Sequence, residues 1–377
     1  MGNYQPNRNS QKDSSSGQGI DYEWTSTRIQ NCRSFMMDFT CEELSIGHLQ
    51  TFSFFCVFQG HLGIEIAWNA SQNFSKQLAQ KEQFQKLNDG DIYHPEDIRN
   101  AIITSILEFD TKMESIINDK EAGCAISGVL ITPDHFFFIN LGNACSILCR
   151  EEKVAFNTWR HEPLYVEEYM RITKAGGWID DGKVNGKVET SRSLGLYQLK
   201  RSSFFEQKDQ IISPEPDVTV INRNRMTDDG LLISTNGLFN SLSTDELTKY
   251  LITRYPYKKS LELLAEEILE YCCYQQTRDN MALIIIKFDQ SPLRRNIEKI
   301  QSDNDLDNQI KQVVNHRMNL VLKRNLFKPI ALSIQEIQNE YGHLFTEDKT
   351  QGWGFNLKRS IIQKEISRIN NEYKTTQ

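Results

Sequence analysis

The segment FQGHLG, residues 58 to 63, closes an apolar run, TFSFFCVF (Thr51 to Phe58), with a turn built from Gly60, His61 and Gly63 around one amide, Gln59. A carboxylate at the mouth of such a turn could hold a metal ion, whereas an amide keeps an oxygen donor and contributes no charge. His61 has no serine or cysteine partner at nucleophile spacing, so a hydrogen-bonded turn histidine is favoured over a base or a ligand. His161, in HEP at 161–163, is read in the same way, as a structural histidine of a His-x-Pro turn. The eight cysteines (32, 41, 56, 124, 145, 149, 272, 273) show no CxxC spacing. Several lie inside apolar runs, where a thiol packs as a small hydrophobe. With no signal peptide at the start, they are read as reduced and intracellular.

The elements that must position these residues alternate irregularly rather than in a βαβ rhythm. Strand candidates fall at 51–58, 124–132, 135–141, 145–149, 230–234 and 281–288. CAISGVLI and HFFFINL meet at Pro133-Asp134, a hairpin turn that implies antiparallel pairing. A long helix is expected where Ile98, Ile102, Ile106, Phe109, Met113 and Ile116 share one face behind Pro95. Ser243 with Glu246 forms a capping box, and Leu261, Leu264, Ile268 and Tyr271 trace one stripe of a following helix. Beyond Pro292 the chain turns helical. Leu306, Ile310, Val313, Val314 and Val321 form one stripe, Ser333 with Glu336 a second capping box, and Ile362, Ile366 and Ile369 a last stripe. The expected division is a flexible arm at 1–20, a main domain at 21–290 and a helical extension at 293–377. The arm, GNYQPNRNSQKDSSSGQG, is polar and almost without apolar anchors.

Composition narrows the function. The chain has 377 residues, is 39% hydrophobic and carries a net charge of −7, which disfavours nucleic acid. No stretch approaches membrane-spanning length. Gly2 offers an N-myristoylation start, but Pro6 stands where Ser or Thr is usual, so an unmodified tail is favoured.

Several phrases, in order, resemble the metal-dependent type 2C Ser/Thr protein phosphatases over roughly residues 20 to 290. QGHLG at 59–63 resembles that family's DGHGG, GNAC at 142–145 its GDSR, and HEP its HxP. RITKAGGWIDDGKVNGKVETSRSLGL resembles RIxxAGG…RVNGxLAVSRALGD. TNGLFNS resembles SDGLWDV, and TRDNMALIII resembles the family's last strand. The C-terminal helices resemble the three-helix extension of an animal subgroup. The resemblance implies an α+β fold of two packed antiparallel sheets flanked by helices, with two Mg²⁺ or Mn²⁺ ions held by acidic side chains at the sandwich edge. A metal-bridging water attacks phosphate in active members. Such ions, within about 4 Å of one another, need carboxylates to bridge and neutralise them.

Carried over by this resemblance, Arg33 matches the phosphate-binding arginine, and RSFMMD at 33–38 matches R-x-x-M-E-D. Asp38 is retained, Met37 replaces an acid, and Gln59 stands where the metal-bridging aspartate belongs, with Gly60 still offering a backbone carbonyl. Asn236 replaces a ligand of the first metal, and Asp279 is retained. Asn143, Asn240 and Leu196 replace acids of GDSR, DGLWD and ALGD, and Arg160 replaces the aspartate before HxP. Arg33 is read either as a phosphate-binding remnant or as the ion-pair partner of Asp38 or Asp279.

The resulting expectation is a catalytically inactive pseudophosphatase that acts as a protein-binding scaffold, without a cofactor. Its expected partners are proteins, a large assembly among them. Its expected setting is cytoplasmic, with cytoskeletal or ciliary association the narrower form. The 293–377 helices, with SPLRR at 291–295 and GWGF at 352–355, are either a docking element or packing for the main domain. Two alternatives stand beside this reading. One is an active or weakly active enzyme with an altered Mn or Mg site; the other is a phosphopeptide-binding module in which Arg33 and Arg192 hold phosphate without hydrolysing it.

Overall fold

The computed structural model of the chain describes residues 4–323, 330–346 and 350–376, so Gly2 lies outside the described residues. The chain divides into two compact units, Met1–Thr248 with Arg278–Pro292, and Lys249–Thr277 with Leu293–Gln377.

The first unit holds two sheets. Its strands are β1 (Tyr4–Gln18), β2 (Tyr22–Arg33), β3 (Asp38–Glu43), β4 (Ser53–His61), β5 (Gly123–Ile131), β6 (His135–Leu141), β7 (Cys145–Arg150) and β8 (Lys153–Asn157). They continue with β9 (Ile179–Asp180), β10 (Lys183–Val184), β11 (Leu194–Gly195), β12 (Asp217–Asn222), β13 (Asp228–Ser234) and β14 (Met281–Phe288). One sheet runs β1-β2-β14-β13-β7-β8 and the other β12-β6-β5-β4-β3, with β11 beside β5 and β9-β10 a separate ribbon. Every pairing between these strands is antiparallel. The helices of this unit are α1 (Glu65–Ala79), α2 (Glu82–Gln85), α3 (Pro95–Ile116), α4 (Val166–Lys174) and α5 (Asn236–Phe239).

The unbroken apolar run of β4 follows from burial on both faces. Phe54, Cys56 and Phe58 enter a core with Phe74 of α1 and Phe109 of α3. Phe55 and Val57 point the other way, into the core between the sheets, with Leu231, Ile233 and Ile284. Alternate residues of a strand face opposite sides, so a strand between two apolar layers has no polar positions. In α3 the expected stripe is buried from Ile98 to Met113, with Pro95 in the first turn. Ile116 is instead exposed, because the helix ends there and Ile117 turns extended and is buried in its place.

Residues 4–18, expected to be a mobile arm, form the edge strand β1 on β2. The Gly19 amide closes the connecting turn on the Tyr22 carbonyl at 2.8 Å. A ladder needs backbone groups and not apolar side chains, and the exposed edge of β2 supplies them. The register shifts between Tyr4 and Asn9, which accommodates Pro6, a residue with no amide to donate.

The second unit is helical. It contains α7 (Leu261–Tyr274), α8 (Ile297–Lys323), α9 (Ile330–Glu340) and α10 (Gly354–Thr376), and takes in the end of α6 (Thr244–Arg254). Residues 249–277 therefore cluster with the C-terminal helices, although the linear reading places them within 21–290. Leu306, Ile310, Val314, Ile334, Ile337, Ile362, Ile366 and Ile369 form its core, with Val313 at the margin. The side chain of Val321 lies outside the described residues. Ser243 caps α6 as expected, its hydroxyl accepting from the Glu246 amide at 3.2 Å while Glu246 Oε2 accepts from the Ser243 amide at 2.9 Å. The second expected box fails, since α9 runs through Ser333 from Ile330; Ala331 and Leu332 are strong helix formers that carry it past the serine. Trp353 of GWGF packs on the rings of Tyr250 and Tyr271 at 4.4 and 5.4 Å. Among the described residues no helix is long and apolar enough to cross a membrane.

Candidate active-site cleft

The ends of β2, β3, β4 and β13 and the start of β14 converge on a cleft of about 270 Å³. It brings together Arg33, Met37, Asp38, Gln59, Gly60, His61, Asn143, Asn236 and Asp279. Register explains the central pair, since Asp38 opens β3 directly opposite Gln59 on β4. Gly60 sits so close to its neighbours that a Cβ would lie 2.8 Å from the Met37 carbonyl oxygen and 3.0 Å from that of Gly63. Its amide donates to the Met37 carbonyl at 2.9 Å. Met37 thus acts through its backbone, its own amide donating to Asn280 Oδ1 at 2.9 Å.

The two retained carboxylates have different fates. Asp38 is buried, and its Oδ2 accepts from the Thr235 hydroxyl at 2.6 Å. Burial pushes its carboxyl up to about 7, against that hydrogen bond and with the nearby Asp279 charge adding. Asp279 is engaged by Arg33, whose Nε donates to Oδ1 at 2.6 Å. Tyr4 donates to the same oxygen at 3.0 Å, and Asn240 Nδ2 to Oδ2 at 3.3 Å. The Tyr4 ring also lies against the guanidinium groups of Arg33 and Arg278, at 4.4 and 4.7 Å. Arg33 is thus paired with Asp279, one of the two carboxylate partners expected for it.

The amides take up structural hydrogen bonds. Gln59 Oε1 accepts from the Asn236 backbone amide at 2.7 Å, tying β4 to the start of α5. Asn236 Oδ1 accepts from Arg160 at 3.3 Å, so a guanidinium reaches the position where a metal-binding aspartate is expected. Asn143 is buried, and its Oδ1 has no hydrogen-bond partner among the described residues. The buried Nε2 of His61 likewise lacks one, so the expected hydrogen-bonded histidine is not found at that nitrogen. Burial pushes His61 down to about 4 and keeps it neutral.

Leu196 does not reach the cleft. It is buried with Ile172, Val184, Val188 and Ile212, at a left-handed φ of +53°. That conformation is costly for a bulky residue and is held here by its amide on the Ala122 carbonyl at 2.8 Å. His161 Nδ1 accepts from the Gly142 amide at 3.0 Å, so the proton sits on Nε2, which donates to Asp217 at 3.0 Å. That fits the structural reading. Arg192 is bound to Glu168 at 2.6 Å and to Asp217 at 3.1 Å. The reading from sequence missed Tyr4, Thr235, Lys183 and Lys187. Thr235 opens the TNGLFNS phrase itself and could have been found, whereas nothing in the polar stretch around Tyr4 marks it.

Fit to metal ions follows from this donor set. A pair of hard dications needs several bridging anionic oxygens. Here Asp38 is buried against the Thr235 hydroxyl and Asp279 is held by Arg33, while Met37, Gln59 and Asn236 stand where the resemblance places further acids. Among the described residues no group of three or more His, Cys, Asp or Glu side chains could hold a metal. The residues present do not fit the pair.

Residues 22–281 match the family described as Protein phosphatase 2C, and the chain belongs to that family. Protein phosphatase 1A of Bos taurus is 30% identical over 380 residues, spanning 98% of this chain and 96% of that protein. Protein phosphatase 1B of Homo sapiens is 27% identical, spanning 98% and 78%. Among solved structures, a phosphatase from a pathogenic strain of Toxoplasma gondii superposes with a TM-score of 0.63 at 15% identity, covering 74% of this chain and 96% of that one. A C. elegans sex determining protein gives 0.58 at 17% identity, covering 77% and 66%. At such identities these likenesses speak for the fold, two antiparallel sheets flanked by helices with a helical C-terminal region.

Proposed function

We propose that this chain is a pseudophosphatase, a member of the protein phosphatase 2C family that has given up hydrolysis and acts by binding another protein. The observation that carries this reading is the Arg33–Asp279 pair, in which the phosphate-binding cation and a metal-binding carboxylate satisfy one another. The amides support it, because Gln59 and Asn236 are spent on hydrogen bonds that join β4, α5 and Arg160. Among the described residues no disulfide joins the cysteines, which suits the proposed cytoplasmic, cytoskeletal or ciliary setting. The phosphopeptide alternative is weaker because Arg33 and Arg192 both have carboxylate partners.

The test pairs calorimetry with Mn²⁺ and Mg²⁺ on the folded chain with phosphate release from phosphopeptides. The expected result is no metal uptake and no metal-dependent release. Robust Mn²⁺-dependent release that Asp38→Ala abolishes would overturn the proposal in favour of the altered-metal enzyme. Binding of phosphorylated peptide well above its plain counterpart, without turnover, would instead favour the phosphopeptide module.

A further inference from the structure

Helix α4 is built inside out. Its buried positions are Glu168 and Ile172, and Glu168 is spent on Arg171 and Arg192 at 2.7 and 2.6 Å. Its outward positions include Val166, Tyr169, Met170 and Thr173, the i, i+3, i+4, i+7 stripe by which a helix ordinarily packs on a partner. Leu164, Tyr165 and Trp159 extend the same surface, and Trp159 meets the Tyr165 ring edge-on at 6.2 Å. The apolar members of this set are between 42 and 73% exposed. A scattered exposed leucine means nothing, but a contiguous stripe with aromatic anchors already in edge-to-face contact marks an interface.

We propose that the occupant is a second copy of this chain, with α4 packed antiparallel on its mate across a two-fold axis. The charges flanking the stripe select this occupant. Glu167 and Lys174 are exposed, seven residues apart and therefore on the same flank of the helix after two turns. A two-fold axis lying in the interface, perpendicular to the helices, reverses direction and preserves the flank. It brings Glu167 of each copy opposite Lys174 of the other, with Met170 near the centre and Arg171 turned inward onto Glu168. The anion then lies near the N-terminus of its own helix and the cation near the C-terminus, as the helix dipole favours. A parallel pairing would place the charges on opposite flanks and lose both contacts. An isologous contact of this kind closes on itself and leaves no surface for further growth.

Sedimentation equilibrium of the full chain tests this. The expected mass rises from the 43.8 kDa of one chain to twice that within the micromolar range typical of small interfaces, about 1 to 100 µM. Glu167→Lys and Lys174→Glu each place like charges in opposition and should weaken the dimer roughly tenfold. The double variant should restore it. Val166→Asp should leave a monomer, with the exposed single-charge variants serving as folded controls. A wild type that stays monomeric throughout the range, with another protein or a membrane as the true occupant, would overturn the proposal. So would a dimer indifferent to both single charge reversals. The outcome does not depend on whether the cleft hydrolyses phosphate.

Discussion

At Gln59 a neutral amide accepts the Asn236 backbone amide at 2.7 Å, a bond that a carboxylate could accept equally well. Geometry at this position is therefore preserved while charge is lost. If charge at these positions governs binding of a divalent metal, adding it should raise uptake. Gln59→Asp combined with Asn236→Asp should raise Mn²⁺ affinity by at least about tenfold over the wild type in calorimetry, since hard cations select anionic oxygen. Equal heats for the two proteins would mean that the Arg33–Asp279 pair, and not the amides, closes the site. Met37 and the amides at 59, 143, 236 and 240, where the resemblance places acids, were legible one by one in the sequence. What these side chains bind was not, because the partners of Asp279 come from Tyr4, Arg33 and Asn240, which are brought together only by folding.

The region around α4 depends on a charged cluster that no local pattern announces. Glu168 binds Arg171 and Arg192, and Arg192 binds Asp217, which also accepts from His161. Burial alone would raise the Glu168 carboxyl, but the hydrogen bond and charge of Arg192, with Arg171 behind, bring it down to about 2 from an ordinary 4.5. A lowered carboxyl contributes stability that is complete above its ordinary value and fades as the pH falls through its folded value. Between pH 4.5 and 2 the wild type should therefore lose on the order of 3 kcal/mol that Glu168→Gln does not lose. Urea unfolding at stepped pH measures it, and parallel slopes for the two proteins would refute the assignment. At this scale sequence patterns served best where burial is two-sided, as in β4 and β14, and least where pairing is made by backbone and polar side chains, as in β1.

Across the whole molecule, the second unit is organised around a buried set of charges. Arg254 is fully buried and reaches Glu267 at 2.9 Å and Asp303 at 2.8 Å, while Lys258 and Lys358 approach Asp303 at 2.9 and 2.7 Å. These residues come from α6, the stretch after it, α7, α8 and α10, so one carboxylate ties together segments far apart in sequence. Removing one partner of a buried pair leaves unpaired charge at low dielectric, which is worse than replacing the whole set. Asp303→Ala should cost about 3 kcal/mol or more by urea unfolding, against less than about 0.5 kcal/mol for the exposed Asp305→Ala. Similar midpoints for the two variants would show that the cluster is not what holds these helices.

The family, the buried strands and the main helices could be read along the chain, because local periodicity and ordered motifs need no knowledge of distant partners. It also shows Met37 and the amides at 59, 143, 236 and 240 where the resemblance places acids. Only the tertiary structure decided that the polar start of the chain is an edge strand, that Arg33 pairs with Asp279, that Leu196 is a core residue, and that α4 turns its apolar face outward. Each of these depends on what stands opposite a residue in space. Backbone ladders, ion pairs and burial are made between segments far apart in the chain, and composition along one segment does not encode its partner.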